Sequence, residues 1–70
     1  MKHLYNHLAH KNITFKDFED TACIVLANND GFIPFAKNDL MTEYNLSSEC
    51  ENEVSMVLAE ILKRYYTFAK

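Results

Sequence analysis

Glycine and proline each occur once in the 70 residues, at Gly31 and Pro34. A β-rich chain built on hairpins needs turn residues at regular intervals, and two positions three apart do not supply them. Long apolar runs are missing too. None approaches the ~18 residues that a membrane helix requires, and the N-terminus has no apolar segment of the kind found in secretory leaders. The cytoplasm is the expected compartment, with no membrane contact. Cysteine is scarce: Cys23 and Cys50 lie among apolar residues, and neither belongs to a CxxC pair. They read as buried thiols in a reducing setting, although the helices that carry them could meet and a disulfide between them stays open.

Basic residues are outnumbered, 7 against 10 acidic ones, giving a formal charge of −3 and an isoelectric point near 5.4. That sign opposes the phosphate backbone, whose neutralisation by Lys and Arg drives most nucleic-acid affinity. Nucleic acid is therefore a disfavoured partner. There is no glycine-rich phosphate loop, no Ser-His-Asp arrangement and no cysteine in an electropositive setting. The carboxylates fall on exposed helical faces. No enzymatic activity and no cofactor are expected.

What the chain does have is apolar content, 49% of its residues, at a length where a lone core is marginal. Efficient helix packing or self-association can make up the deficit. The expected fold is a single all-α domain, a small bundle of about four helices with a helix-turn-helix-like second half and a long C-terminal helix.

The spacing predicts a first helix over about 2–10, where Leu4, Tyr5 and Leu8 share a face. Lys11-Asn12-Ile13 interrupts it. Thr14, with Asp17 three residues on, reads as the N-cap of a second helix over about 15–27. At ~100° per residue, Phe15, Phe18, Ala22, Val25 and Leu26 form one stripe. Ile24 points away from that stripe and suggests a second contact surface. Asn28-Asn29-Asp30-Gly31 reads as a helix stop and turn, because these residues tolerate left-handed backbone. An apolar connector, Phe32-Ile33-Pro34-Phe35, is expected to fold beneath the bundle. A short third helix over about 35–44 presents Phe35, Leu40, Met41 and Tyr44. Asn45 fits the position just past its end, with Leu46 packing back.

Ser48 and Glu51 form a capping-box pattern before the last helix, about 49–68, and Glu49, Glu51 and Glu53 complement its dipole. Cys50, Val54, Val57, Leu58, Ile61, Tyr65 and Phe68 make its apolar stripe. Glu60 is placed to pair with Lys63 or Arg64. Leu62 and Tyr66 widen the stripe on one flank, while Met56 lies on the polar side. Ile24, Met56, Leu62 and Tyr66 are the candidate protein-interaction surface.

His3, His7 and His10 are the only clustered metal-ligand types. His3 and His7 have the (i, i+4) spacing that can chelate Zn²⁺ or Ni²⁺, but no acidic or thiol ligand lies nearby in sequence, so a solvated stripe is the expectation. Imidazoles near ~6.5 would also cancel the negative charge on acidification.

The stretch from Leu40 to Ser48, a short helix ending in Tyr-Asn-Leu-Ser before another helix, resembles the helix-turn-helix of bacterial regulators. That resemblance implies DNA contact by the final helix, with Lys37, Asn52, Lys63 and Arg64 as the candidate residues. The matching recognition helix opens Glu49-Cys50-Glu51-Asn52-Glu53, where base-reading helices favour Arg, Lys, Asn and Gln. Only Asn52 fits. The opening Met1-Lys2-His3-Leu4-Tyr5-Asn6-His7-Leu8 and the Asp30-Gly31-Phe32-Ile33-Pro34 break look similar to the YozE-like small bacterial proteins, which implies a SAM-like helical fold. The later aromatic pattern of that family is not reproduced.

The functional expectation is a small acidic protein-binding accessory or regulatory protein acting by stoichiometric contact. Seven asparagines, with many Lys, Ile, Tyr and Phe, fit an AT-rich genome and a phage or mobile-element origin. A homodimer through the C-terminal helix is an even-handed alternative, and a helix-turn-helix-like DNA-binding regulator is the second functional reading.

Overall fold

A computed structural model describes residues 1–65. Its elements are α1 (Lys2–His10), α2 (Phe15–Asn28), α3 (Ile33–Glu43), a single 3-10 turn (Ser48–Cys50) and α4 (Glu51–Tyr65). The described residues contain no strand. The all-helical bundle with a short helix, a tight connection and a longer last helix is as the sequence implies. Tyr66 and Phe68 lie outside the described residues. No described helix is long and apolar enough to cross a membrane.

The shortage of glycine is met at the helix ends by asparagine and aspartate. Asn12, Asp30 and Asn45 have φ of 58°, 56° and 52°, the left-handed conformation that short polar side chains reach most easily after glycine. Each sits just past a helix, and each end carries the paired reverse hydrogen bonds of a Schellman motif. Ile13 N–H donates to Leu8 C=O and Asn12 N–H to Ala9 C=O. Gly31 pairs with Leu26 and Asp30 with Ala27 in the same way, as do Leu46 with Met41 and Asn45 with Thr42. Ile13 and Leu46, the residues that follow two of these turns, fold back onto the core. Three helices thus end by one device.

Helix starts are less uniform. Thr14 Oγ1 accepts the Asp17 N–H at 3.1 Å, as its spacing predicts. Pro34 stands in the first turn of α3, which begins two residues earlier than expected, at Ile33. The Ser48–Glu51 capping box does not form: Ser47 precedes the 3-10 turn and no side chain caps it. Glu51 is instead drawn aside by Lys37 of α3.

The core is wholly apolar among the described residues, with no buried polar or charged side chain. Leu4 and Leu8 come from α1, Phe18, Ala22 and Leu26 from α2, and Ala36 and Leu40 from α3. Leu46 and Cys50 join them from the connection, and Val54, Val57, Leu58 and Ile61 from α4. The α4 stripe is as the periodicity predicts, except that Tyr65 is exposed. Helix α4 touches each of the other three, most extensively α3. Its broad apolar arc is therefore explained in part by a central position. Burial of nine large side chains to below 2% exposure, at roughly 1.5–3 kcal/mol each, is what such a short chain has to set against its conformational entropy.

The connector departs from expectation. Phe32 and Phe35 are 51% and 60% exposed and stack edge-to-face on each other, ring centres 4.6 Å apart. The helix begins at Ile33, so its inward face carries Ala36 and Leu40 and turns Phe35 outward.

Candidate interaction surface

Of the four residues marked as an interaction surface, Ile24 and Met56 are 62% and 57% exposed. Leu62 is half-buried against the core, and it covers the Gly31 turn: a Cβ on Gly31 would lie 3.5 Å from Leu62 Cδ1. It helps to close α4 over the end of α2 and is largely absorbed in the fold. Tyr66 lies outside the described residues.

Met56 does not stand alone. It lines a groove with Met1, Phe15 and Val57, edged by Glu19, Glu60 and Arg64. Tyr5 extends the patch, its ring edge-to-face on Phe15 with centres 5.2 Å apart. Phe15 in turn leans on buried Phe18 at 6.2 Å, and Phe18 on Tyr44 at 5.3 Å. The groove floor is thus the outer end of an aromatic chain rooted in the core. Arg64, expected to pair with Glu60 along its own helix, instead reaches Glu19 on α2 at 3.6 Å. This places a charged rim across one side of an apolar floor. The sequence pattern showed Met56 on a polar face but could not show that Met1 and Phe15 converge on it. Their contact depends on how α1 and α2 dock, which no local spacing encodes.

The residues considered for DNA contact do not assemble into a basic face. Lys37, only 18% exposed at its side chain, is tied to Glu51, and Arg64 is held by Glu19. Asn52 and Lys63 are exposed but eleven residues apart on one helix, about 16 Å along its axis.

The start of the last helix is also covered by α1. No residue near the N-terminus of α1 offers a capping side chain, since Met1 occupies the cap position. Glu53 does so from α4. Its carboxylate accepts the Leu4 N–H at 2.6 Å and the His3 N–H at 3.3 Å, with the terminal ammonium 4.0 Å away. These are two of the backbone donors that a helix start leaves without partners. The Leu4 hydrogen bond is the main reason that the Glu53 carboxyl is held below the usual carboxylate range. One turn back, Glu49 meets His7 Nε2 at 2.8 Å and His3 Nδ1 at 3.8 Å. The hydrogen bond from His7 lowers the Glu49 carboxyl too. The three carboxylates that the sequence aligns with the α4 dipole are thus engaged by α1 and α3.

Cys23 and Cys50 are free thiols, and burial pushes both up from their ordinary value. A raised thiol pKa keeps the sulfur protonated and poorly nucleophilic near neutrality.

Compared with protein-family models, with curated proteins and with solved structures, the chain matches none. The likeness of its opening and its Gly-Phe-Ile-Pro break to YozE-like proteins accordingly gains no support from these comparisons.

Proposed function

We propose that this chain is a protein-binding accessory or regulatory factor that acts by stoichiometric contact, with the Met56 groove as its principal docking surface. The observation that carries this is the grouping of Met1, Tyr5, Phe15 and Met56 on one surface, outside the core that they adjoin. Met adapts its shape to a partner, and Met, Tyr, Phe and Arg are the types enriched at protein interfaces. A floor of this kind beside a charged rim is the layout of an interface centre and its border. The Phe32–Phe35 pair and Ile24 are further apolar surface, available to a larger contact or to a second copy of the chain.

The DNA-binding reading has less behind it, because two of its three candidate cations, Lys37 and Arg64, are paired with carboxylates within the chain.

The test is capture by immobilised chain from cells that express it, combined with light scattering of the pure protein. Wild type retains a partner or doubles in mass. Met56→Glu, on an exposed position, keeps the wild-type fold and loses that contact. Retained capture and retained mass in Met56→Glu, Ile24→Glu and Phe35→Glu alike would contradict the proposal.

A further inference from the structure

The histidines that looked isolated from any acidic ligand are brought to one by the fold. His3 and His7 lie one turn apart on α1, and both ring nitrogens face the carboxylate of Glu49. His3 Nδ1 is 3.8 Å from one oxygen and His7 Nε2 is 2.8 Å from the other. His10 and Asn6 line the same open groove, and Ser47 Oγ lies 3.2 Å from His7 Nε2. Glu49 is the middle residue of the 3-10 turn, forty-two residues from His7, which is why no sequence spacing announces the group.

We propose that His3, His7 and Glu49 form a binding site for a divalent transition ion of zinc's class, which fastens α1 to the start of the last helical segment. Two imidazoles and one carboxylate are a common three-ligand set for Zn²⁺, with the remaining position left to water. Donors about 2.0–2.1 Å from a tetrahedral ion stand roughly 3.3 Å from one another. The observed separations of 2.8 and 3.8 Å bracket that value. As the side chains stand, no three such groups among the described residues are arranged to hold an ion. The site is completed on binding by rearrangement of these side chains. His3, half-exposed, has the freedom to make its share. The ion replaces the proton between His7 and Glu49; the His7 ring then carries its proton on Nδ1 and offers the Nε2 lone pair. Ser47 is left to hydrogen-bond a metal-bound water.

The consequence is mechanical. Helix α1 buries only Leu4 and Leu8, so a cross-link through His3, His7 and Glu49 adds a strong restraint to an element with a small buried face. Any ligand that binds the folded chain alone raises its stability by mass action.

The test is titration of the tag-free chain with ZnCl₂ by calorimetry, paired with thermal melts with and without EDTA. The expected result is one ion per chain and a melting temperature that rises and saturates with zinc. His3→Gln, which alters an exposed side chain and leaves the core intact, weakens binding by at least about tenfold, and Glu49→Gln does the same. His10→Gln leaves affinity unchanged. No heat and no thermal shift up to about 1 mM zinc, a dissociation constant worth only about 4 kcal/mol, would overturn the proposal. So would equal affinity in wild type, His3→Gln and Glu49→Gln, which would place the ion elsewhere.

Discussion

Three residues, Asn12, Asp30 and Asn45, hold the left-handed backbone that glycine would otherwise supply. A residue with a plain Cβ is penalised there by about 1–2 kcal/mol, and the penalty is smaller for Asn and Asp. Asn45→Ala is therefore expected to destabilise the chain by about 1 kcal/mol, while Asn45→Gly stays within several tenths of wild type, because its relief of strain is offset by greater freedom in the unfolded chain. Chemical denaturation of both variants checks the ordering; equal stabilities would show that the turn is not strained. Two of these positions were legible in the sequence, since Asn28-Asn29-Asp30-Gly31 and Tyr44-Asn45-Leu46 carry their turn chemistry locally; Asn12 read only as a break in the first helix. Glu53 was not. Its pairing with the Leu4 amide joins residues 49 positions apart, and a carboxylate near the start of α4 reads, by its own spacing alone, as a partner for its own helix dipole.

At the scale of the element, α4 presents two opposed faces with different expected responses. Leu58 and Ile61 are fully buried, and truncating either to Ala leaves a cavity costing about 2–5 kcal/mol. Met56→Ala, on the exposed face, stays within about 0.5 kcal/mol of wild type. Denaturant midpoints of the three variants test this; a large loss for Met56→Ala would make that residue part of the core and remove it from the proposed docking surface. The stripe was readable because 3.6-residue periodicity belongs to the helix itself. The burial of Leu62 and the exposure of Phe35 were not, since each depends on where α3 begins and how it meets the Gly31 turn.

Helix α1 depends on partners in another way. Glu49 and Glu53 both have carboxyls held below their ordinary range, by the hydrogen bond from His7 and by that from Leu4 respectively. A carboxylate whose pKa is depressed by folding contributes stability that is present above its unfolded value, near ~4.3. That contribution is lost as pH falls through the lower folded value. Acidification through and below that window is thus expected to loosen α1 ahead of the α3–α4 pair. Hydrogen exchange checks this at the Leu4 amide: its protection falls as Glu53 protonates, and Glu53→Gln flattens the dependence. Protection at Leu4 that is flat down to pH ~3 would show that Glu53 does not hold the helix start.

Across the whole molecule, an apolar core with no buried polar group among the described residues coexists with large apolar side chains left on the outside. Ile24, Phe32, Phe35 and Met56 are each more than half exposed. Single exposed apolar residues are ordinary, but grouped ones with aromatic and Met content mark contact surfaces. The net charge of −3 and the internal pairing of Lys37 and Arg64 favour a protein over a polyanion as the occupant. The sequence supplied the excess of apolar surface and its sign of charge. It did not supply the groove, because Met1, Phe15 and Met56 belong to three separate segments that only packing unites.

The most direct measurement of that claim is photo-crosslinking from position 56 in cells that express the chain, with Asn38 as an exposed control position. One dominant adduct is expected from position 56, either with a single partner or with a second copy of the chain, and it disappears when excess unlabelled protein competes. No matching adduct is expected from position 38. The same weak, uncompeted pattern of adducts from both positions would contradict the claim.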